Sequence, residues 1–163
     1  MEKFIDKLDE YNIFNYLFPG VIFTYLLKYY VGIDIFQENI IEMLFIYYFM
    51  GSIISRIGSI IVEPILIKCK FIQYAPYETY NKVCKDDKKI SQFLVANNMY
   101  RTICSGASLL LFIKLFKEII VMINISVNLT NTVLIILIMV LYLFAYKKQT
   151  KIIFERVNKK QTN

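Results

Sequence analysis

Ser52, Arg56, Ser59 and Glu63 recur at intervals of four, three and four residues, a spacing that places them along one face of a helix. The surrounding stretch is apolar, and a charge at membrane depth costs about 3 kcal/mol unless it is paired, reaches an interface or lines water. Three uses fit a guanidinium, a carboxylate and two hydroxyls in that register. They can line or gate an oligomeric pore, anchor the helix at the inner membrane interface, or bind it to a neighbouring helix. Lys114, Lys117 and Glu118 form a second charged set, in which Lys114 and Glu118 stand at i and i+4 and can neutralise one another. Either they form the outer rim of a span that ends early, or they face a water-filled cavity. A third set is Tyr74, Tyr77 and Tyr80, repeated every three residues and followed by Lys82, Lys85, Lys88 and Lys89, with Arg101 beyond. Aromatic faces interleaved with cations suit stacked bases and phosphates, and the same mixture suits an anionic membrane surface.

Other chemistry is missing. The chain has no histidine, and Cys69, Cys84 and Cys104 lack zinc-ligand spacing, so no metal site and no cofactor is expected. No nucleophile stands with a base, no glycine-rich loop cradles phosphate, and no paired carboxylates suggest a hydrolase, so the expectation is a protein that is not an enzyme.

The elements that position these residues follow from hydropathy. With 57% hydrophobic residues in 163, the chain has room for about four membrane crossings of about 20 residues and little else. Spans are expected at about 14–33, 40–67, 103–123 and 132–146, within a single membrane domain covering 1–163. The N-terminal residues mix acids with lysines and so do not read as a cleaved signal peptide. Residues 4–14 read as a short amphipathic surface helix, and Pro19-Gly20 as the first turn or a kink of span one. Lys28, late in that span, can snorkel to water. Gly51, Ser52, Ser55, Gly58 and Ser59 give span two the small residues that close helix contact in lipid requires.

A basic loop at 68–100 separates spans two and three. Pro76 can open a short helix through Cys84, and Asp86 or Asp87 can cap a second one that runs into span three. A basic tail occupies 147–163. The connections after spans one and three contain no lysine or arginine, whereas the 68–100 loop and the tail are rich in both, which places loop and both termini in the cytoplasm. The expected fold is therefore an all-α membrane protein with four transmembrane helices and a short helical cytoplasmic hairpin between the second and third. Its expected location is a membrane crossed several times, with both termini on the cytoplasmic side.

Three stretches carry a resemblance: Leu17-Phe18-Pro19-Gly20, the run from Gly51 to Pro64, and Asn97-Asn98-Met99-Tyr100-Arg101-Thr102. Together with the layout they resemble the Hailong-type channel effectors, small membrane proteins that accompany nucleotidyltransferases in bacterial antiviral operons. The resemblance implies a homotetrameric channel held closed by a single-stranded oligodeoxyadenylate made by the partner enzyme. Loss of the signal would open the channel and collapse the membrane potential. The residues themselves lead to a homo-oligomeric channel or pore gated from the cytoplasm, because four spans with few polar groups make a poor conduit alone. The alternative is a non-conducting scaffold that anchors a soluble partner through the basic loop. A proton-coupled exporter is disfavoured by the lack of a central acidic residue in the spans.

Overall fold

The computed structural model describes residues 12–76, 79–80, 83, 89–123 and 127–161, and among these the chain is all-helical, with four helices and no strand. Helix α1 covers residues 13–31, α2 Ile40–Lys68, α3 Lys89–Ile123 and α4 Val127–Gln161. Two compact units result: Met1–Glu118, with α1, α2 and most of α3, and Ile119–Asn163, with the end of α3 and α4. Helix α2, and residues Thr132–Thr150 of α4, are long and apolar enough to cross a membrane. The other two expected crossings are helical, 14–31 within α1 and 103–123 within α3.

Helix α1 changes pitch along its length. Phe18–Leu26 is α-helical, whereas Ile13–Leu17 and Leu27–Val31 are wound in the wider π register. Pro19 accounts for the first of these. It has no N–H and its ring crowds the carbonyl four residues back, that of Asn15, so the ladder opens around that residue. Pro19 therefore sits inside the helix instead of starting it. Gly32, at φ +73°, ends α1, and the N–H groups of Gly32 and Ile33 return to the carbonyls of Lys28 and Leu27 at 3.1 and 3.3 Å.

Helix α2 begins at Asn39, whose side-chain oxygen accepts from the Ile41 N–H at 2.9 Å. The same proline device recurs near its end, where Gly58–Val62 is π-helical and Pro64 follows, four residues after Ile60. Lys70 then takes φ +58° and the Phe71 N–H returns to the Leu66 carbonyl at 2.9 Å, which stops the helix.

Helix α3 starts at Lys89, so the second helix expected within 68–100 and the third expected span form one helix of 35 residues. Of the first arm, Tyr80 donates its N–H to the Pro76 carbonyl at 3.0 Å, a turn opened where the proline predicts it. Asp86 and Asp87 lie outside the described residues, as does nearly all of the 4–14 segment. Helix α4 is longer than the 132–146 span because the basic tail continues it to Gln161.

In the first unit α1 and α2 cross in backbone contact. A Cβ on Gly20 would overlap the Tyr47 carbonyl and one on Gly51 would overlap the Tyr16 carbonyl. Beyond the crossing, Phe23, Leu27 and Val31 line one face of α1 at four-residue spacing and pack with Ile54 of α2, flanked by Leu109, Leu110 and Ile113 of α3. Among the described residues the interior is mixed, with Asn15, Thr24, Ser55, Asn98, Thr102 and Ser105 buried beside the apolar cluster. The largest fully buried side chains are Phe23, Ile54, Asn15, Thr24, Thr102 and Ser105, while Phe45, Phe49, Phe112 and Leu115 are exposed. The hydroxyls are satisfied within their own helices: Thr24 donates to the Gly20 carbonyl at 2.9 Å, Thr102 to Asn98 at 2.8 Å and Ser105 to Arg101 at 2.7 Å.

Candidate functional site

The packing face of α3 is set by residues 98, 102, 105, 109 and 113, spaced four, three, four and four apart. It is polar over Asn98, Thr102 and Ser105, all buried, and apolar over Leu109 and Ile113. Helix α2 runs antiparallel along it, so Ile54 meets Gly106 while Gly58 meets Ser105 and Arg101. A Cβ on Gly58 would stand 2.6 Å from Ser105 Oγ and 3.3 Å from Arg101 Cγ; the glycine is what lets the polar part of the seam close.

At the end of that seam Arg101 Nη1 donates to Glu63 Oε2 at 2.6 Å, with both side chains only 17% exposed. A charge-assisted bond this short joins α2 to α3 across 38 residues of sequence. Arg101 Nε is buried and has no acceptor among the described residues. Removing one partner of a buried pair strands the other charge, at a cost of about 3–5 kcal/mol when burial is complete; residual exposure puts this pair toward the lower end.

The stripe on α2 therefore divides. Glu63 belongs to the helix-to-helix seam, whereas Ser52, Arg56 and Ser59 remain half-buried on α2. Arg56 is in neither the Lys28–Asp34 nor the Glu63–Arg101 ion pair. Arg101, expected with the loop cations, is instead the partner of the stripe. The signal available for this was complementary charge at Glu63 and Arg101, without any local pattern to join them.

In the basic segment, Tyr74 is drawn to α3, its hydroxyl accepting from Asn97 Nδ2 at 3.4 Å, one helical turn before Arg101. Tyr80 is half-buried and Lys89 starts α3. Tyr77, Lys82, Lys85 and Lys88 lie outside the described residues. Cys69 and Cys104 are exposed free thiols.

The opposite end of the first unit holds the other charged groups. Lys117 donates to the Val31 carbonyl at 2.9 Å, a cation placed where α1 leaves carbonyls without helical partners. Lys28 pairs with Asp34 at 2.8 Å and lies 4.7 Å from the centre of the Phe36 ring. The lysine that could merely snorkel thus has a defined partner in the 32–39 connection. The hydrogen bond from Lys28 and then that from the Phe36 N–H hold the Asp34 carboxyl below its usual range. Lys114 and Glu118 are exposed and do not pair with each other. Lys117 lies at the end of α1, away from the Glu63–Arg101 pair.

Among the described residues no group of histidine, cysteine, aspartate and glutamate could hold a metal ion. Comparison with protein-family models, curated proteins and solved structures returned no match.

Proposed function

We propose that the chain is a membrane protein of four spans that assembles into a homo-oligomeric ion channel or pore, gated from the cytoplasm. The observation that carries the reading is the distribution of side chains in the first unit, where hydroxyl and amide groups are buried beside the apolar cluster while Phe45, Phe49, Phe112 and Leu115 are exposed. Lipid, unlike water, tolerates that surface, and it favours small and polar groups at helix contacts. Helix α4 supports it too, since Leu134, Ile135, Ile136, Leu137 and Ile138 are all exposed in succession, an apolar surface on every side.

Within one copy the seam between α2 and α3 is filled by Gly58, Ser105, Arg101 and Glu63, which supports a conduit around an oligomer axis over one inside a protomer. Ser52, Arg56 and Ser59 are the side chains best suited to line it, with Glu63 acting through the seam. The resemblance to Hailong-type effectors adds the biological setting: a tetramer in a bacterial inner membrane, acting in abortive infection, with a single-stranded oligonucleotide from a partner nucleotidyltransferase as the signal. Tyr74, Tyr77, Tyr80, Lys82, Lys85, Lys88 and Lys89 are the proposed contacts for its bases and phosphates.

The test is ion flux from liposomes, measured beside oligomer size. The wild-type protein should leak, and Arg56→Ala should alter conductance or ion preference in an intact oligomer, because a ring of charge sets the field in a narrow conduit. Engagement of Glu63 by Arg101 favours a second reading, a non-conducting scaffold held together by the stripe. Tight liposomes containing the assembled wild-type protein would select the scaffold.

A further inference from the structure

The last part of α2, Glu63–Lys68, is joined to the rest of that helix in an unusual way. Gly58–Val62 before it is wound in the π register, and the Glu63 N–H reaches back five residues to the Gly58 carbonyl. Pro64 follows and supplies no N–H, so the Ile60 carbonyl lacks the donor that a continuous α-helix would give it. A widened ladder between a glycine and a proline is where helices bend. Past this point no residue of Glu63–Lys68 is buried, and Pro64, Ile65, Ile67 and Lys68 are exposed. Leu66 is the segment's one half-buried apolar side chain, whereas in the earlier part of α2 Gly51, Ile53, Ile54 and Ser55 are buried. The Glu63–Arg101 bond at 2.6 Å joins the segment to α3.

We propose that Glu63–Lys68 is a hinged arm, with Gly58–Val62 as the hinge and the Glu63–Arg101 ion pair as the clamp that holds the arm on α3. The arm leads directly into the segment containing Lys70 and Tyr74, so its release moves the start of the basic loop relative to α3. Tyr74 and Asn97 form a weaker second tie on the far side of the arm, at 3.4 Å. The clamp is local: the contact of Gly106 with Ile54 and Phe23 involves neither Glu63 nor Arg101.

The experiment measures spin-label distances in full-length protein in nanodiscs, after replacement of Cys69, Cys84 and Cys104. One pair, Lys68→Cys with Leu111→Cys, spans the hinge; a control pair, Ile41→Cys with Leu111→Cys, does not. Glu63→Gln and Arg101→Gln should each add a longer population to the first pair and leave the control pair unchanged. The exchange Glu63→Arg with Arg101→Glu should restore a single short population. Pro64→Ala in the Glu63→Gln background returns an N–H to the ladder and should narrow the distribution again. An unchanged Lys68–Leu111 distance in both single variants overturns the clamp, and an equal change in the control pair overturns the hinge, since the helix would then move or unfold as a whole. Distances are read whether or not the protein conducts. A tight liposome leaves the clamp standing, and a rigid arm leaves the channel reading standing.

Discussion

Gly20 and Gly51 show how much one missing methyl group decides. Each presents bare backbone to a carbonyl of the other helix, Tyr47 for Gly20 and Tyr16 for Gly51, so a side chain at either position meets backbone that cannot rotate away. Gly106 differs. A Cβ there would rest 3.5 Å from Ile54 and 3.6 Å from Phe23, an ordinary packing distance. Overpacking a tight contact costs about 1–3 kcal/mol, whereas alanine in place of a helical glycine stabilises by about 0.5–1 kcal/mol where it fits. Gly51→Ala and Gly20→Ala should therefore lower the unfolding temperature in detergent, while Gly106→Ala should leave it unchanged or raise it. Equal shifts at Gly51 and Gly106 would mean that α1 and α2 do not touch at the backbone. In the sequence, Gly51 reads as part of a small-residue contact surface, but Gly20 follows Pro19 and reads as a turn or kink. Local spacing cannot reveal that Gly20 serves a second helix.

At the scale of elements, apolar runs and their terminators make the helices legible. Gly32 and Asn39 bound the first connection, and the runs from Ile40 and Thr132 stand out by length. The point where the loop becomes α3 is less legible, because Lys88 and Lys89 interrupt hydropathy without interrupting helix propensity. Candidate residues are legible as faces and not as pairs. The four-residue spacing gives Glu63 its face, yet its partner is set by the antiparallel register of α2 on α3, which no local pattern records. The 32–39 connection offers a test at this scale. Asp34 is exposed, accepts from Lys28 and from the Phe36 N–H, and has its carboxyl held below the usual value near 4 by those bonds. A depressed acid stabilises the connection above its unfolded-state value, and the contribution disappears as pH falls through the lower folded value. The Phe36 amide resonance in labelled protein should titrate with a midpoint below the ordinary aspartate range, and Asp34→Asn should abolish that titration. A midpoint at or above the ordinary value would remove the Lys28 and Phe36 bonds from the solution structure.

For the whole molecule, the decisive quantity under the proposed reading is the number of membrane crossings. Length and hydropathy single out α2 and Thr132–Thr150, while α1 is interrupted by π segments and α3 carries Arg101, Lys114, Lys117 and Glu118. These features do not bar α1 and α3 from the membrane under the proposed reading. Arg101 is paired with Glu63, and Lys117 is bound to the end of α1, so each has a protein partner that lowers the penalty of a charge near lipid. The connections at 34–39 and 124–131 contain no lysine or arginine, whereas those around 68–101 and 147–160 concentrate them, which is the physical basis on which an even number of crossings is proposed. With Cys69, Cys84 and Cys104 replaced, single cysteines at Gln37 and Asn128 should react with an impermeant thiol reagent added to intact cells. Cysteines at Lys88 and Lys159 should react only after the membrane is opened. Labelling at Lys88 and Lys159 alone in intact cells would invert the orientation, and labelling at Gln37 without Asn128 would leave an odd number of crossings between them. In the first case the basic segment would face outward and gating from the cytoplasm through Tyr74, Lys82 and Lys85 would have to be abandoned; in the second the count of four crossings would fall while the basic segment kept its side.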